Sequence, residues 1–135
     1  MRNSPESIWI IGYGKFGRRA VEMMIKKGHS HPLVTVIDKE PRRDIPNGIE
    51  YIRADGIKWF IDNFRKTSVV NRIIPALPVH LAAQWIKGRL ISEKRMVREI
   101  PVPPEILPLL PNPYRLSADT YVVSHADFLC PPDCI

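Results

Sequence analysis

Apolar residues in the first part of the chain recur in short blocks that predict alternating strands and helices. Ser7–Ile11 is a compact apolar run, and Pro32–Asp38 is rich in β-branched residues. Both are typical of parallel strands that are buried on both faces. Between them lie four apolar residues at helical spacing, with basic residues on the other faces: Phe16, Ala20, Met23 and Met24. This stretch predicts an amphipathic helix whose apolar face contacts a sheet.

The same alternation continues further along the chain. A third strand is predicted at Gly48–Arg53 and a fourth at Ser68–Ala76, and another helix begins near Pro78. Between these strands, helical spacing returns in four apolar residues: Ile57, Phe60, Ile61 and Phe64. A strand, a helix and a parallel strand in succession form a right-handed crossover. Repeated crossovers predict an α/β fold, namely a Rossmann-like open, mostly parallel sheet with helices on both faces.

The last part of the chain has a different character. Residues 101–113 contain six of the fourteen prolines, which excludes a regular helix or a central strand there. We expect a proline-rich, extended connection, followed by a last strand within Ala118–Phe128 and a cysteine-containing tail at 129–135. A chain of 135 residues is long enough for one domain with a core. The whole of 1–135 is therefore predicted to be a single Rossmann-type domain.

Composition places the chain among ordinary globular proteins. It is 44% hydrophobic and 25% charged. No apolar stretch approaches the roughly 20 residues that a membrane-spanning helix requires. The apolar run at Ile8–Ile11 is too short for the hydrophobic region of a signal peptide. These features predict a cytoplasmic protein.

The formal net charge of +6 raises the question of an anionic partner. The basic residues are densest at Lys87–Arg98, where no aromatic side chain is interleaved among them. Proteins that bind single-stranded nucleic acid combine basic residues with aromatic rings on which bases stack. The cluster is more typical of a solvated helix end and loop, so nucleic acid is not predicted as a partner.

Three glycines follow the first predicted strand, in the spacing Gly12-x-Gly14-x-x-Gly17. This spacing matches the dinucleotide-binding fingerprint, in which each glycine has a separate purpose. The first permits a sharp turn, the second lets a pyrophosphate approach the backbone, and the third permits close packing of the helix on the sheet. The phosphates would then bind the unpaired N–H groups at the helix N-terminus.

An acidic residue, Asp38, ends the second predicted strand, twenty-one residues beyond Gly17. Its carboxylate could accept hydrogen bonds from both ribose hydroxyls of an adenosine and would repel a 2′-phosphate, which favours NAD over NADP. Lys39, Arg42 and Arg43 follow closely and lessen this preference, so NADP or another adenine nucleotide stays open. The alternative is that the three glycines serve only the tight packing of the strand and the helix, and do not bind a nucleotide.

On these residues, 8–76 resembles the TrkA-type nucleotide-binding domains (the RCK N-lobe) of bacterial potassium-uptake systems. The stretches "IIGYGKFGRRAVEMMIKKGH", "VTVIDKEP" and "GIEYIRADG" are similar to the family's first strand, glycine loop and helix, to its second strand, and to its third strand with the acidic loop that follows. The resemblance implies binding of NAD(H) or another adenine nucleotide, homodimerisation, and relay of the ligand state to a membrane channel or transporter. It also places Asp55 near the adenine end. The expected cofactor-binding residues are Gly12, Tyr13, Gly14, Lys15, Phe16, Gly17, Asp38, Lys39 and Asp55.

His80 follows the fourth predicted strand, beside the cleft where ligands bind in open α/β sheets. A histidine there could act as an acid–base group near a nicotinamide ring. Its alternative role is to hydrogen-bond the backbone at a helix N-terminus.

The ending "HADFLCPPDCI" brings together His125, Cys130 and Cys134. Thiolates and imidazole are ligands suited to zinc or to iron, including an iron–sulfur cluster. A closed site needs a fourth ligand, which could come from a second subunit or from residues beyond Ile135. Two free thiols on a terminal tail are the alternative.

These features support three functions. We expect a non-catalytic regulatory module that binds NAD(H), because the fingerprint is complete and a separate substrate domain is missing. A small NAD-dependent oxidoreductase that uses His80 is the first alternative. A metal or redox sensor that uses the terminal cysteines is the second.

Overall fold

The computed structural model describes residues 5–26, 33–41 and 44–128, and its contacts divide the chain into two compact units, 1–95 and 96–135. One domain over 1–135 stays a prediction. The first unit contains four strands and three helices in its described part: β1 (Ser7–Ile11), α1 (Lys15–Lys26), β2 (Leu33–Asp38), β3 (Glu50–Arg53), α2 (Gly56–Asn63), β4 (Arg72–Pro75) and α3 (Leu81–Ser92).

The four strands form one parallel sheet in the order β3-β2-β1-β4. This order is that of the first four strands of the doubly wound dinucleotide-binding fold. The α/β prediction is therefore confirmed. Because the chain reverses its direction of winding between β1 and β4, the crevice that binds ligands in such folds opens at the carboxyl ends of these strands.

Alternate residues of each strand contribute to two separate parts of the core, as the two-residue period of a strand requires. On the side of α1, the fully buried residues include Ile8 and Ile10 of β1 and Val36 of β2. On the opposite side, Ile11 and Ile37 pack against residues of α2 and α3. Both faces of the sheet are covered, which explains the continuous apolar runs that mark β1 and β2 in the sequence.

Aromatic rings join α2 and α3 to the sheet. The ring centroids of Trp9 and Trp59 are 4.8 Å apart, and those of Phe64 and Trp85 are 5.4 Å apart. The indole N–H of Trp85 donates to the carbonyl oxygen of Phe64 at 3.2 Å. Such edge-to-face pairs add to the free energy gained from burial of the rings.

The buried face of α1 differs from the expected one. Gly17 and Val21 are its buried residues, whereas Phe16 is 68% exposed and Met23 is also exposed. The prediction that Phe16 and Met23 face the core was therefore wrong. Gly17 fixes the rotation of the helix because it packs against the Gly12 carbonyl, and Phe16 is then turned about 100° away from the sheet.

β4 carries a proline that fits its place at the edge of the sheet. The N–H of Ala76 donates to the carbonyl oxygen of Ile11 in β1 at 2.8 Å. Since successive residues of a strand direct their backbone groups to opposite sides, the nitrogen of Pro75 faces away from β1. The missing donor thus falls on the outer edge of β4, the position where a sheet tolerates proline.

The second unit has little regular structure in its described part, residues 96–128. Its elements are a 3₁₀-helix (Pro104–Leu109) and two strands, β5 (Tyr114–Arg115) and β6 (Tyr121–Val122), which pair antiparallel. The prolines exclude an α-helix as expected, but they permit the 3₁₀ turns.

The strand predicted within Ala118–Phe128 is only two residues long and belongs to this separate sheet, not to the parallel one. The backbone beyond β6 finds other partners. The N–H of Ser124 donates to the carbonyl oxygen of Pro111, and the carbonyl oxygens of Ser124 and Ala126 accept from Asn112.

We predict that Gly17→Ala destabilises the protein by about 3 kcal/mol, because the added methyl group would overlap the backbone carbonyl oxygen of Gly12. Gly14→Ala is the matched control. No atom lies within 4 Å of a Cβ built at Gly14, so its effect should stay within about 1 kcal/mol. Urea unfolding monitored by tryptophan fluorescence measures both. Equal destabilisation by the two variants would contradict the proposed contact.

Candidate functional site

The glycine loop connects the carboxyl end of β1 to the first turn of α1. The N–H of Gly12 donates to the carbonyl oxygen of Ile37 in β2 at 2.8 Å, which holds the loop against the sheet. The N–H of Arg18 donates to the carbonyl oxygen of Gly14 at 3.0 Å and begins the helical hydrogen bonds. The first turn of α1 carries the positive end of the helix dipole.

The fold itself accounts for two of the three glycines. Gly12 has a φ of +102°, which L side chains rarely adopt, and a Cβ there would lie 2.7 Å from the carbonyl oxygen of Ala76. Gly17 packs directly on the carbonyl of Gly12. Gly14 has neither constraint: its φ is ordinary, it is exposed, and a Cβ would meet no atom within 4 Å. Within the described part of the chain, the fold therefore gives no reason for glycine at position 14.

Asp38, at the end of β2, is bonded to the glycine loop. Its Oδ2 accepts the N–H of Tyr13 at 2.6 Å, and its Oδ1 accepts the N–H of Glu40 at 2.8 Å. A carboxylate offers about four lone-pair positions, so these two backbone bonds use half of them. Asp38 is half-buried and retains acceptor positions on both oxygens.

A pocket of about 190 Å³ opens beside Asp38. Its walls come from the segments that follow β2, β3 and β4: Asp38, Lys39, Asp55, Gly56, Ile57, Leu77, Pro78 and Val79. The structure thus brings together three of the predicted ligand residues, Asp38, Lys39 and Asp55. The pocket combines carboxylates and a lysine with apolar walls, which is the usual make-up of a small-molecule site.

Asp55 has a structural role in addition to lining the pocket. It is the N-cap of α2, and its Oδ1 accepts the N–H of Lys58 at 2.8 Å. An N-cap of this type satisfies one of the unpaired donors at the start of a helix. A contact between Asp55 and the adenine end of a nucleotide stays a prediction.

The side chains of the glycine loop point to different environments. The ring of Tyr13 is only 3% exposed, packs edge-on against Tyr51 and lies 5.6 Å from the guanidinium of Arg18. Lys15 and Phe16 are exposed. Tyr13 therefore contributes its backbone N–H to the loop, while its side chain belongs to the core beneath α1.

His80 is the N-cap of α3, and its Nδ1 accepts the N–H of Ala83 at 3.4 Å. Its neighbour Val79 lines the pocket, whereas His80 is not among the lining residues. This geometry gives His80 the capping role that the sequence offered as its alternative, and a catalytic role stays a prediction.

The predicted metal ligands lie in the second unit. His125 is exposed, and Cys130 and Cys134 lie outside the described residues. Within the described ranges no group of three metal-binding side chains occurs. In the same part of the chain, no helix has the length and apolarity needed to cross a membrane.

Five pocket residues were absent from the predicted ligand set: Gly56, Ile57, Leu77, Pro78 and Val79. They follow β3 and β4, and carboxyl ends of parallel strands meet at one edge of the sheet. The carboxyl end of each predicted strand could therefore have identified these residues as part of the site.

Comparisons with known proteins divide the chain at the end of β4. A family model described as the TrkA-N domain matches residues 8–75, and a model described as an uncharacterized protein's C-terminal domain matches residues 82–135. Among curated proteins, inorganic pyrophosphatase 2 of Arabidopsis thaliana is 28% identical over 85 residues, which cover 58% of this chain and 30% of that protein. No solved structure matches the chain.

The TrkA-N match begins at Ile8 and ends at Pro75, so it contains the parallel sheet, the glycine loop, Asp38 and Asp55. It covers half of the 135 residues and agrees with the strand order and with the site at the carboxyl ends of the strands. This chain belongs to the TrkA-N domain family, whose members are dinucleotide-binding modules of Rossmann type.

Proposed function

We propose that this chain binds NAD(H) at the glycine loop and acts as a non-catalytic regulatory module. The observation that carries the proposal is Gly14, an exposed glycine that neither backbone conformation nor packing requires. The absence of a side chain there leaves the N-terminus of α1 open to a group that must approach the backbone closely. A pyrophosphate is such a group, because the helix N-terminus offers it N–H donors and a positive dipole end.

Asp38 supports a ribose next to this pyrophosphate. Two of its acceptor positions hold the N–H groups of Tyr13 and Glu40, and the remaining ones match the two donors of a vicinal diol. The bond to Tyr13 also fixes the carboxylate close to the loop where the pyrophosphate would bind. A 2′-phosphate at this position would meet a negative charge, so NAD(H) is the proposed ligand in preference to NADP.

Among the described residues, the lining of the pocket contains no histidine, tyrosine or serine that could exchange a proton during hydride transfer. The polar groups lining the pocket are two carboxylates and Lys39, and Asp55 already caps a helix. We therefore place the function in ligand sensing, with a homodimer and a membrane transporter or channel subunit as the proposed partners. A role in regulating potassium transport rests on the resemblance to TrkA-type domains.

Two other activities enter as alternatives. A small NAD-dependent oxidoreductase would use His80, which lies next to the pocket wall at Val79. The name of the Arabidopsis relative, inorganic pyrophosphatase 2, suggests free pyrophosphate as a ligand or substrate at the same glycine loop. Both alternatives are distinguished from the proposal by measuring turnover together with binding.

The first test is calorimetric titration with NADH, NAD, NADPH, ATP and inorganic pyrophosphate. Gly14→Asp should weaken NADH binding by about 100-fold or more, because a carboxylate would stand beside the pyrophosphate. Gly14→Ala fills part of the same space without charge and should cause a smaller loss. Thr67→Asp, an exposed substitution with the same change of charge, is the control and should bind NADH as the original chain does.

Equal NADH binding by Gly14→Asp and Thr67→Asp would exclude the glycine loop as the site. Tight binding of pyrophosphate with release of phosphate, and none of NADH, would instead support the pyrophosphatase alternative.

Asp38→Asn tests the ribose contact. The variant keeps an oxygen that can accept the Tyr13 N–H, but it replaces one acceptor by a donor and removes the charge. We expect NADH affinity to fall by about tenfold or more and NADPH affinity to stay equal or rise. Parallel titrations of both ligands measure this change. An equal loss for NADH and NADPH would mean that Asp38 only positions the loop.

His80→Ala separates sensing from catalysis. We expect a loss of about 1 kcal/mol in the free energy of unfolding, since α3 loses its N-cap, and NADH affinity within about twofold of the original chain. Incubation of the original chain with NADH and a panel of carbonyl acceptors should show no oxidation. Oxidation that disappears in His80→Ala would establish the oxidoreductase alternative.

A further inference from the structure

The helix α1 leaves part of its apolar surface open to solvent. Gly17 and Val21 are its buried residues, whereas Phe16 is 68% and Met23 is 45% exposed. Successive residues of a helix are turned by about 100°, so Phe16 and Met23 lie within about 20° of each other around its axis. The apolar arc of α1 is therefore wider than the part that the sheet covers. Adjacent exposed apolar side chains indicate a surface that contacts another molecule or a membrane.

Basic side chains border these two apolar residues. Lys15, Arg19 and Lys26 are exposed, and helical geometry places all three within an arc of about 40° next to Met23. Together they form what we call the outer face of α1: Lys15, Phe16, Arg19, Met23 and Lys26. Glu22 is the acidic residue of the helix and lies at the border of the basic arc that is opposite to the apolar pair. The outer face is thus both positively charged and partly apolar.

The charge of the surrounding unit favours an anionic partner. Residues 1–95 contain eighteen of the twenty basic residues and nine of the fourteen acidic ones, so this unit has a formal net charge of +9. The second unit, 96–135, has a formal net charge of −3. Positive charge attracts an anionic surface over about 10 Å at ordinary salt concentration. The outer face of α1 therefore matches a partner that combines negative charge with an apolar layer.

We propose that the outer face of α1 binds the surface of a bilayer that contains anionic lipids. Phe16 and Met23 enter the boundary between headgroups and acyl chains, and the basic side chains contact the lipid phosphates. The helix has 12 residues and is about 18 Å long, so it can lie on a planar surface along its whole length. The small number of basic and apolar residues predicts weak, reversible attachment.

Other partners match only one part of this face. A nucleic acid offers phosphates, but it has no apolar layer that would take up Met23. A second copy of the chain has the same positive charge on its own outer face, so pairing of two such faces would bring like charges together. Anionic lipid matches both the charge and the apolar side chains.

Nucleotide binding acts on the same surface, and this step rests on the proposed function. Phe16 lies between Gly14 and Gly17, so the outer face begins at the glycine loop. A dinucleotide held there places the negative charges of its pyrophosphate beside Lys15, where they oppose those of the lipid. NADH should therefore weaken vesicle binding, and vesicles should weaken NADH binding by the same factor. Attachment to lipid does not itself depend on the nucleotide.

The test is sedimentation of the full chain with vesicles of phosphatidylcholine that contain about 30% phosphatidylglycerol, and with vesicles of phosphatidylcholine alone. The chain should bind the anionic vesicles and stay in solution with the neutral ones. Raising the salt concentration from about 0.1 M to about 1 M should weaken binding by about tenfold or more, because it shortens the range of the charge interaction. A chain that stays in solution with both kinds of vesicle, or that binds both equally, would overturn the proposal.

Variants of α1 and matched exposed variants elsewhere locate the lipid-binding surface. Lys26→Gln and Met23→Ser should each reduce the affinity for the anionic vesicles by about fivefold. Lys66→Gln and Val69→Ser remove the same kinds of side chain from the connection between α2 and β4, and their affinity should stay within about twofold of the original chain. Glu22→Gln removes a negative charge at the border of the face and should strengthen binding by about fivefold.

Equal losses in Lys26→Gln and Lys66→Gln would show that only net charge matters, and would exclude α1 as the binding surface. A dimer that dissociates in Met23→Ser, without vesicle binding, would assign the face to a second copy instead. Vesicle binding by a chain that does not bind NADH would contradict the proposed function and support lipid attachment. NADH binding that leaves the vesicle affinity unchanged would overturn the coupling between the two. Urea unfolding of each variant checks that a change in vesicle affinity does not come from loss of the fold.

Discussion

The contact between Gly17 and the carbonyl of Gly12 determines how the first unit is built. Because no side chain separates them, α1 lies directly on the turn that leaves β1, and its N-terminus is fixed at the carboxyl edge of the sheet. The same contact sets the rotation of α1, so that Val21 is buried and Phe16 faces solvent. One backbone approach therefore fixes both the packing of the helix and the direction in which its first turn points.

Asp38 transmits this arrangement to the rest of the site. Its bond to the Tyr13 N–H joins the end of β2 to the glycine loop, and the Gly12 N–H joins the loop to Ile37 in the same strand. Leu77, after β4, lies over the positions where both Gly12 and Gly56 lack a side chain. The pocket is consequently formed by segments that are far apart in the chain and held by hydrogen bonds among backbone groups and one carboxylate.

The local sequence pattern was sufficient to predict those elements in which local and tertiary preferences agree. The bounds of β1 were predicted as found, because its apolar run is covered on both faces of the sheet and ends at Gly12, where the backbone turns. The positions of the glycine loop after β1 and of Asp38 at the end of β2 could be predicted from spacing, whereas their contacts with a nucleotide stay a prediction. The rotation of α1 could not be predicted, because the spacing of its apolar residues is compatible with two overlapping buried faces. Which face is buried depends on the tertiary contact of Gly17. The length of the last strand was predicted wrongly for a related reason. Asn112 and Pro111 hydrogen-bond the backbone of residues beyond β6, so the strand ends there.

Pro75 has a consequence for assembly. The outer side of β4 lacks one N–H at the position where a further strand would need a donor, so a strand added there would leave a carbonyl unpaired. Regular extension of the sheet past this edge is therefore disfavoured at Pro75, whether by a second copy or by an unfolded chain. Beside this edge, the side chains of Trp85 and Ile86 line an apolar groove with Ile73 of β4. The proline thus limits backbone pairing at this edge while leaving the apolar side chains of the groove in place.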